Sequence, residues 1–155
     1  DSGRVGLQRL LVVANQTLDN PDLIAAVHER CGGGPAEIRV LVPQPRRILP
    51  FVDPVMGVSL EVGVEALVLE QQEVAEAEAR LAQFLTQLAD LGLTASGEVV
   101  LGDPVAAARR LGGSAISEII VSTLPPGLSR WLKMDLPARL SRAFDRPVTA
   151  LVSRP

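Results

Sequence analysis

A chain of 155 residues, 47% of them apolar, is long enough for one domain with a sizeable core and too apolar for disorder. A formal net charge of −3 excludes the broad basic surface of a general nucleic-acid binder, and no apolar run approaches the ~20 residues that span a bilayer. The single cysteine, Cys31, cannot close an internal disulfide, which fits a cytoplasmic setting.

"LLVVA", Leu10 to Ala14, is a short continuous apolar run, as expected of a parallel strand covered on both faces. Asn20 is a good N-cap and Pro21 suits the first helical position. Leu23, Ile24, Val27 and Cys31 then share one helical face, and Gly32 ends the helix. A second strand is predicted over Glu37 to Val42. Pro43 to Leu60 carries Pro43, Pro45, Pro50 and Pro54 and reads as a long loop, either functional or simply packed. The next helix runs roughly from Val64 to Leu91. Leu67, Val74, Leu81 and Leu88, joined by Leu85, form its packing face, while Glu70, Glu73, Glu76 and Glu78 keep much of the rest wet.

Gly92 stops that helix. Thr94 to Gly102, polar at its start, reads as an edge strand. Asp103 caps a short helix that Pro104 opens, with Ala106, Ala107 and Leu111 placed to face inward. Glu118 to Ser122 is a fourth strand and Pro147 to Val152 a fifth. The prediction is an α/β fold in one domain over 1–155, with a parallel sheet and right-handed crossovers.

Little in the sequence points to catalysis. His28 has no second histidine to work with and reads as a flanking or surface residue, and Cys31 reads as packing. "CGGGPAE" and "LGGSAISE" lie after a helix and before a strand, the reverse of a phosphate cradle. Gly127 has the right order, strand, loop, helix. In an open α/β sheet ligands bind beyond the carboxyl ends of the strands. That edge offers Asn15, Thr17, Gly102, Asp103, Ser122, Thr123 and Ser129, with Arg130, Lys133, Arg139 and Arg142 nearby. Two readings stay open: an anion site, or a closed turn beside a helix solvated by arginines. Trp131 fits a core or lid residue better than a base-stacking one.

The ordered set resembles the universal stress protein family. "VVLGDPVAAARRLGGSAISEIIVSTLPPGLSRWLKMDLPARLSRAFDRPVTALV", Val99 to Val152, is similar to the family's strand, Gly-Asp-Pro helix start, "IIV" strand, loop, helix and final "PV" strand. "LLVVANQT", Leu10 to Thr17, resembles its first strand and loop. The resemblance implies an open, Rossmann-like five-stranded parallel sheet in the order 3-2-1-4-5, with helices on both faces. It also implies a homodimer joined along the last strand, Val148 to Val152. Many members bind ATP through Gly-x-x-Gly and, nine residues on, Gly-Ser/Thr. In this chain those positions are Leu124, Gly127, Pro137 and Ala138, so three of four depart. The family's aspartate near the base and ribose is Asn15 here. By resemblance the ligand-binding residues are Asn15, Thr17, Val42, Gly102, Thr123, Gly127, Ser129, Arg130 and Arg139.

Pro137 removes an amide donor, Ala138 a hydroxyl, and Leu124 adds a Cβ where backbone must approach closely. The expectation is a non-catalytic, stress-protein-like module that dimerises, acts through a protein partner and binds ATP weakly or not at all. The alternative is a small-ligand or adenine-nucleotide binder, taking AMP, or ATP with magnesium, through the altered loop. An enzyme is the least supported reading, because no base–nucleophile pair stands out.

Overall fold

The structure, a computed structural model, describes residues 8–32, 36–44, 60–112, 116–124 and 135–152. Among them, strands and helices alternate: β1 (Gln8–Val13), α1 (Pro21–Cys31), β2 (Ala36–Gln44), α2 (Leu60–Asp90), β3 (Thr94–Leu101), α3 (Pro104–Gly112), β4 (Glu118–Thr123), α4 (Leu136–Phe144) and β5 (Val148–Val152). The strands pair in parallel in the order β3-β2-β1-β4-β5, as the resemblance implied.

The alternation of side chains along β1 explains why both faces carry helices. Leu10, Val12 and Ala14 enter one core with Leu23, Val27 and Cys31 of α1 and Ala77, Leu81, Phe84 and Leu88 of α2. Leu11 and Val13 enter a second core with Val105, Ala107 and Ala108 of α3 and Leu136 and Leu140 of α4. Burying each large apolar side chain contributes about 1.5–3 kcal/mol, so these two cores dominate the stability. The first helix is closed as predicted. The Asn20 side chain accepts from the amide of Asp22 at 2.8 Å. Gly32 takes the left-handed conformation at φ 57°, where a Cβ would add strain.

Several boundaries differ from the sequence-based expectation. β1 starts at Gln8 and ends one residue before Ala14. β2 continues through Pro43 and Gln44, so the long loop is shorter than expected and its remainder, 45–59, lies outside the described residues. Proline is tolerated there for a geometric reason. Its carbonyl accepts from Asn15, so its nitrogen faces the same side of the strand, beyond the last β1–β2 pair at Val13 and Leu41. No ladder bond is lost.

α2 begins at Leu60, and its packing face is shorter than the leucine spacing suggested. Leu81 and Leu88 are buried, but Leu67 is 43% exposed. Thirty-one residues of helix span about 46 Å, whereas the nine residues of β2 span about 30 Å. The first turns of α2 therefore run past the carboxyl edge of the sheet. Glu70, expected to be wet, is buried. In α3 Val105, Ala107 and Ala108 face inward and Leu111 packs against the same core, whereas Ala106, expected inward, is exposed. Among the described residues no helix is long and apolar enough to cross a membrane.

Candidate functional site

The chain leaves β1 toward α1 on one face and leaves β4 toward α4 on the other. The β1–β4 boundary is thus the switch point of the sheet, and sheets of this kind bind ligands beyond the carboxyl ends there.

Asn15 stands at this edge directly after β1, and it is buried. Its Nδ2 donates to the Pro43 carbonyl at 2.8 Å and to Gln44 Oε1 at 2.7 Å. Its Oδ1 accepts from Arg80 Nη2 at 2.7 Å. Two acceptors face the nitrogen and one donor faces the oxygen, so the contacts fix the orientation of the amide. Both amide hydrogens are consumed within the protein.

Thr17 closes the other side. Its Oγ1 lies 2.7 Å from Ser122 Oγ and donates to the Ser122 carbonyl at 3.3 Å. Both residues are buried, and the contact staples the loop after β1 to the end of β4. Thr123 Oγ1 is 3.5 Å from the Leu151 carbonyl, turned toward β5. Val42 is fully buried in the first core.

Gly102, at φ 104°, donates its amide to the Gln44 carbonyl at 3.4 Å. Asp103 accepts from the amide of Ala106 at 3.2 Å, capping α3 as predicted, and pairs with Arg139 Nη2 at 2.9 Å. Partial burial pushes the Asp103 carboxyl up. The Arg139 hydrogen bond, the amides of Ala106 and Val105 and the Arg139 charge outweigh it and hold the group below its ordinary value. Arg139 is thereby engaged by a carboxylate of its own chain.

Asn15 and Gly102 thus meet through Gln44, Thr17 meets Ser122, and Arg139 meets Asp103. Gly127, Ser129, Arg130, Trp131 and Lys133 lie outside the described residues. His28 is exposed on α1. Burial pushes the Cys31 thiol up and suits it to packing. Among the described residues no three of His, Cys, Asp and Glu gather as a metal site would require. Sequence reasoning missed Gln44 and Arg80. The one available signal was Arg80 itself, a lone basic residue in a helix rich in glutamate.

No family model matches the chain, and no curated protein matches it in sequence. Solved structures do match its shape. The hypothetical protein MJ0577 superposes with a TM-score of 0.67 at 15% identity, covering 95% of this chain and 96% of that one. A universal stress protein from Archaeoglobus fulgidus gives 0.57 at 11% identity over 92% of each chain. A universal stress protein family protein from Arabidopsis thaliana, solved with AMP bound, gives 0.53 at 13% identity over 95% of this chain and 92% of that one. The chain has the fold of the universal stress proteins.

Proposed function

We propose that the chain is a non-catalytic module of the universal stress protein kind that works in the cytoplasm as a homodimer, acts through a protein partner, and holds ATP weakly or not at all. The observation that carries the low nucleotide affinity is Asn15. Both its donors are spent on Pro43 and Gln44, and one lone pair of its oxygen on Arg80. A base or ribose that needed those donors would have to break buried hydrogen bonds, at about 1–3 kcal/mol for each group left unsatisfied. Arg139 is already paired with Asp103, which offsets part of the charge it could offer a phosphate. Pro137 sits in the first turn of α4 and offers no amide to an anion. These features support weak or no binding of ATP.

The dimer reading rests on the edge strand. Among the described residues β5 pairs only with β4 and its other side has no strand beside it, and Val152 is 48% exposed. Such an edge invites a partner strand. Sedimentation velocity is expected to give a dimer that Ala150→Pro disrupts, and a monomer at high micromolar concentration would refute it.

The AMP in the Arabidopsis protein favours a second reading, a small-ligand or adenine-nucleotide binder with altered donors. Calorimetric titration with ATP and AMP, with and without magnesium, separates the two. The first reading expects no saturable heat at millimolar nucleotide. Micromolar binding weakened by Arg139→Ala would establish the second.

A further inference from the structure

Arg80 is the only basic residue between Glu65 and Asp90 of α2, and its side chain is half-buried against the sheet. Its Nη2 donates to Asn15 Oδ1 at 2.7 Å. Its Nε is buried and, among the described residues, has no hydrogen-bond partner. Among the described residues no carboxylate forms an ion pair with it.

This combination is costly for a structural arginine. A buried donor left unsatisfied costs about 1–3 kcal/mol, and native structures keep few such groups without a reason. The guanidinium offers Nε–H and Nη2–H along one planar edge, spaced to meet the two oxygens of a carboxylate or phosphate. In Arg80 the Nη2 end of that edge is anchored by Asn15. Nη2 carries two hydrogens, and Asn15 Oδ1 takes one. Asn15 in turn is held by the ends of β1 and β2, so the guanidinium is fixed before any ligand arrives. The edge lies at the carboxyl end of the sheet, where this architecture places ligands.

We propose that Arg80 is an anion-binding residue, holding the carboxylate or phosphate of a small ligand through Nε while Asn15 fixes Nη2. A small anion of this kind needs neither a ribose pocket nor a phosphate loop, so the inference stands apart from the nucleotide question.

The test follows the arginine Nε–H signals of the 15N-labelled protein, with Arg80 assigned through its own side-chain couplings. Inorganic phosphate and acetate are titrated separately, at constant ionic strength held with chloride. The Arg80 Nε–H is expected to shift saturably with at least one of them, and the stronger responder identifies the anion class. In Arg80→Lys, which keeps the charge but loses the planar edge, the shifts of the Asn15 and Gln44 amides are expected to need at least about tenfold more anion. Arg142→Lys should behave as wild type. No saturable shift of Arg80 Nε–H with either anion would overturn the proposal, as would equal affinity in Arg80→Lys. A parallel AMP titration keeps the two readings distinct. AMP that moves the Asn15 and Val42 amides while both anions leave Arg80 silent would support nucleotide binding and overturn the arginine site. Phosphate that moves Arg80 while AMP moves nothing would support the arginine site alone.

Discussion

The side-chain amides of Asn15 and Gln44 meet nitrogen to oxygen at 2.7 Å, joining the ends of two adjacent strands. The same Asn15 nitrogen also serves the Pro43 carbonyl. An aspartate at this position would set a carboxylate oxygen against two acceptors, though it would attract Arg80 more strongly. Leaving buried acceptors unpaired costs about 1–3 kcal/mol. Asn15→Asp is therefore expected to lower the free energy of urea unfolding at neutral pH by that order, and not to create affinity for ATP or AMP. A stabilised variant, or one that binds AMP at micromolar levels, would show that the network does not hold the edge closed.

The Asp103–Arg139 pair predicts a modest acid dependence. The carboxyl is held below its ordinary value in the folded protein. Its contribution is therefore present above the unfolded carboxylate pKa of about 3.9, and is lost as pH falls from there through the folded value. The side chains are 46% and 33% exposed, so solvent screening limits the pair to under about 1 kcal/mol. Asp103→Asn removes the charge and keeps a competent helix cap. Its stability deficit should be small at pH 7, diminish as pH falls below about 3.9 and shrink in high salt. A deficit independent of pH and salt would mean the pair contributes nothing electrostatic.

Leu67 and Leu88 occupy the same sequence stripe of α2, three heptads apart, and differ completely in burial at 43% and 0%. Leu88→Ala is expected to cost about 2–5 kcal/mol, because it removes a core side chain and leaves a cavity. Leu67→Ala should fall within about 0.5 kcal/mol of wild type. Thermal unfolding of the two variants side by side decides the matter. A comparable loss at Leu67 would mean that the first turns of α2 are packed in solution.

That contrast shows what periodicity can and cannot report. The spacing of leucines identifies the apolar face of α2. It does not say where the sheet beneath it ends, which depends on strand length and on β2 continuing through Pro43. The strands were legible because runs such as Leu10–Val13 must be covered on both faces. The ends of α1 were legible because Asn20, Pro21 and Gly32 act within a few residues of themselves. The strand order came with the family resemblance, not from the residues singly. The site was half legible. Asn15 and Thr17 were visible as polar residues leaving β1, but their partners lie far along the chain. Gln44 is 29 residues from Asn15, and Arg80 is 65. Pro43 hid Gln44 by resembling a strand end, and Arg139 resembled a phosphate ligand because Asp103 read only as a helix cap.

Gly97 of β3 lies where β2 and α2 leave no room for a side chain. A Cβ at this position would lie 2.5 Å from the Val40 carbonyl oxygen, 2.9 Å from Val40 Cβ and 3.1 Å from Leu81 Cδ1. The first two cannot retreat without moving β2, the strand between β1 and β3. Relief must come from β3, an edge strand, or from α2. Gly97→Ala is expected to cost about 1–3 kcal/mol through overpacking, despite alanine's better strand entropy. The strain should be shared with Leu81. A second substitution, Leu81→Ala, would then cost less in the Gly97→Ala background than alone, which a double-mutant cycle measures directly. Strict additivity would place the whole relief in the edge strand and leave α2 undisturbed.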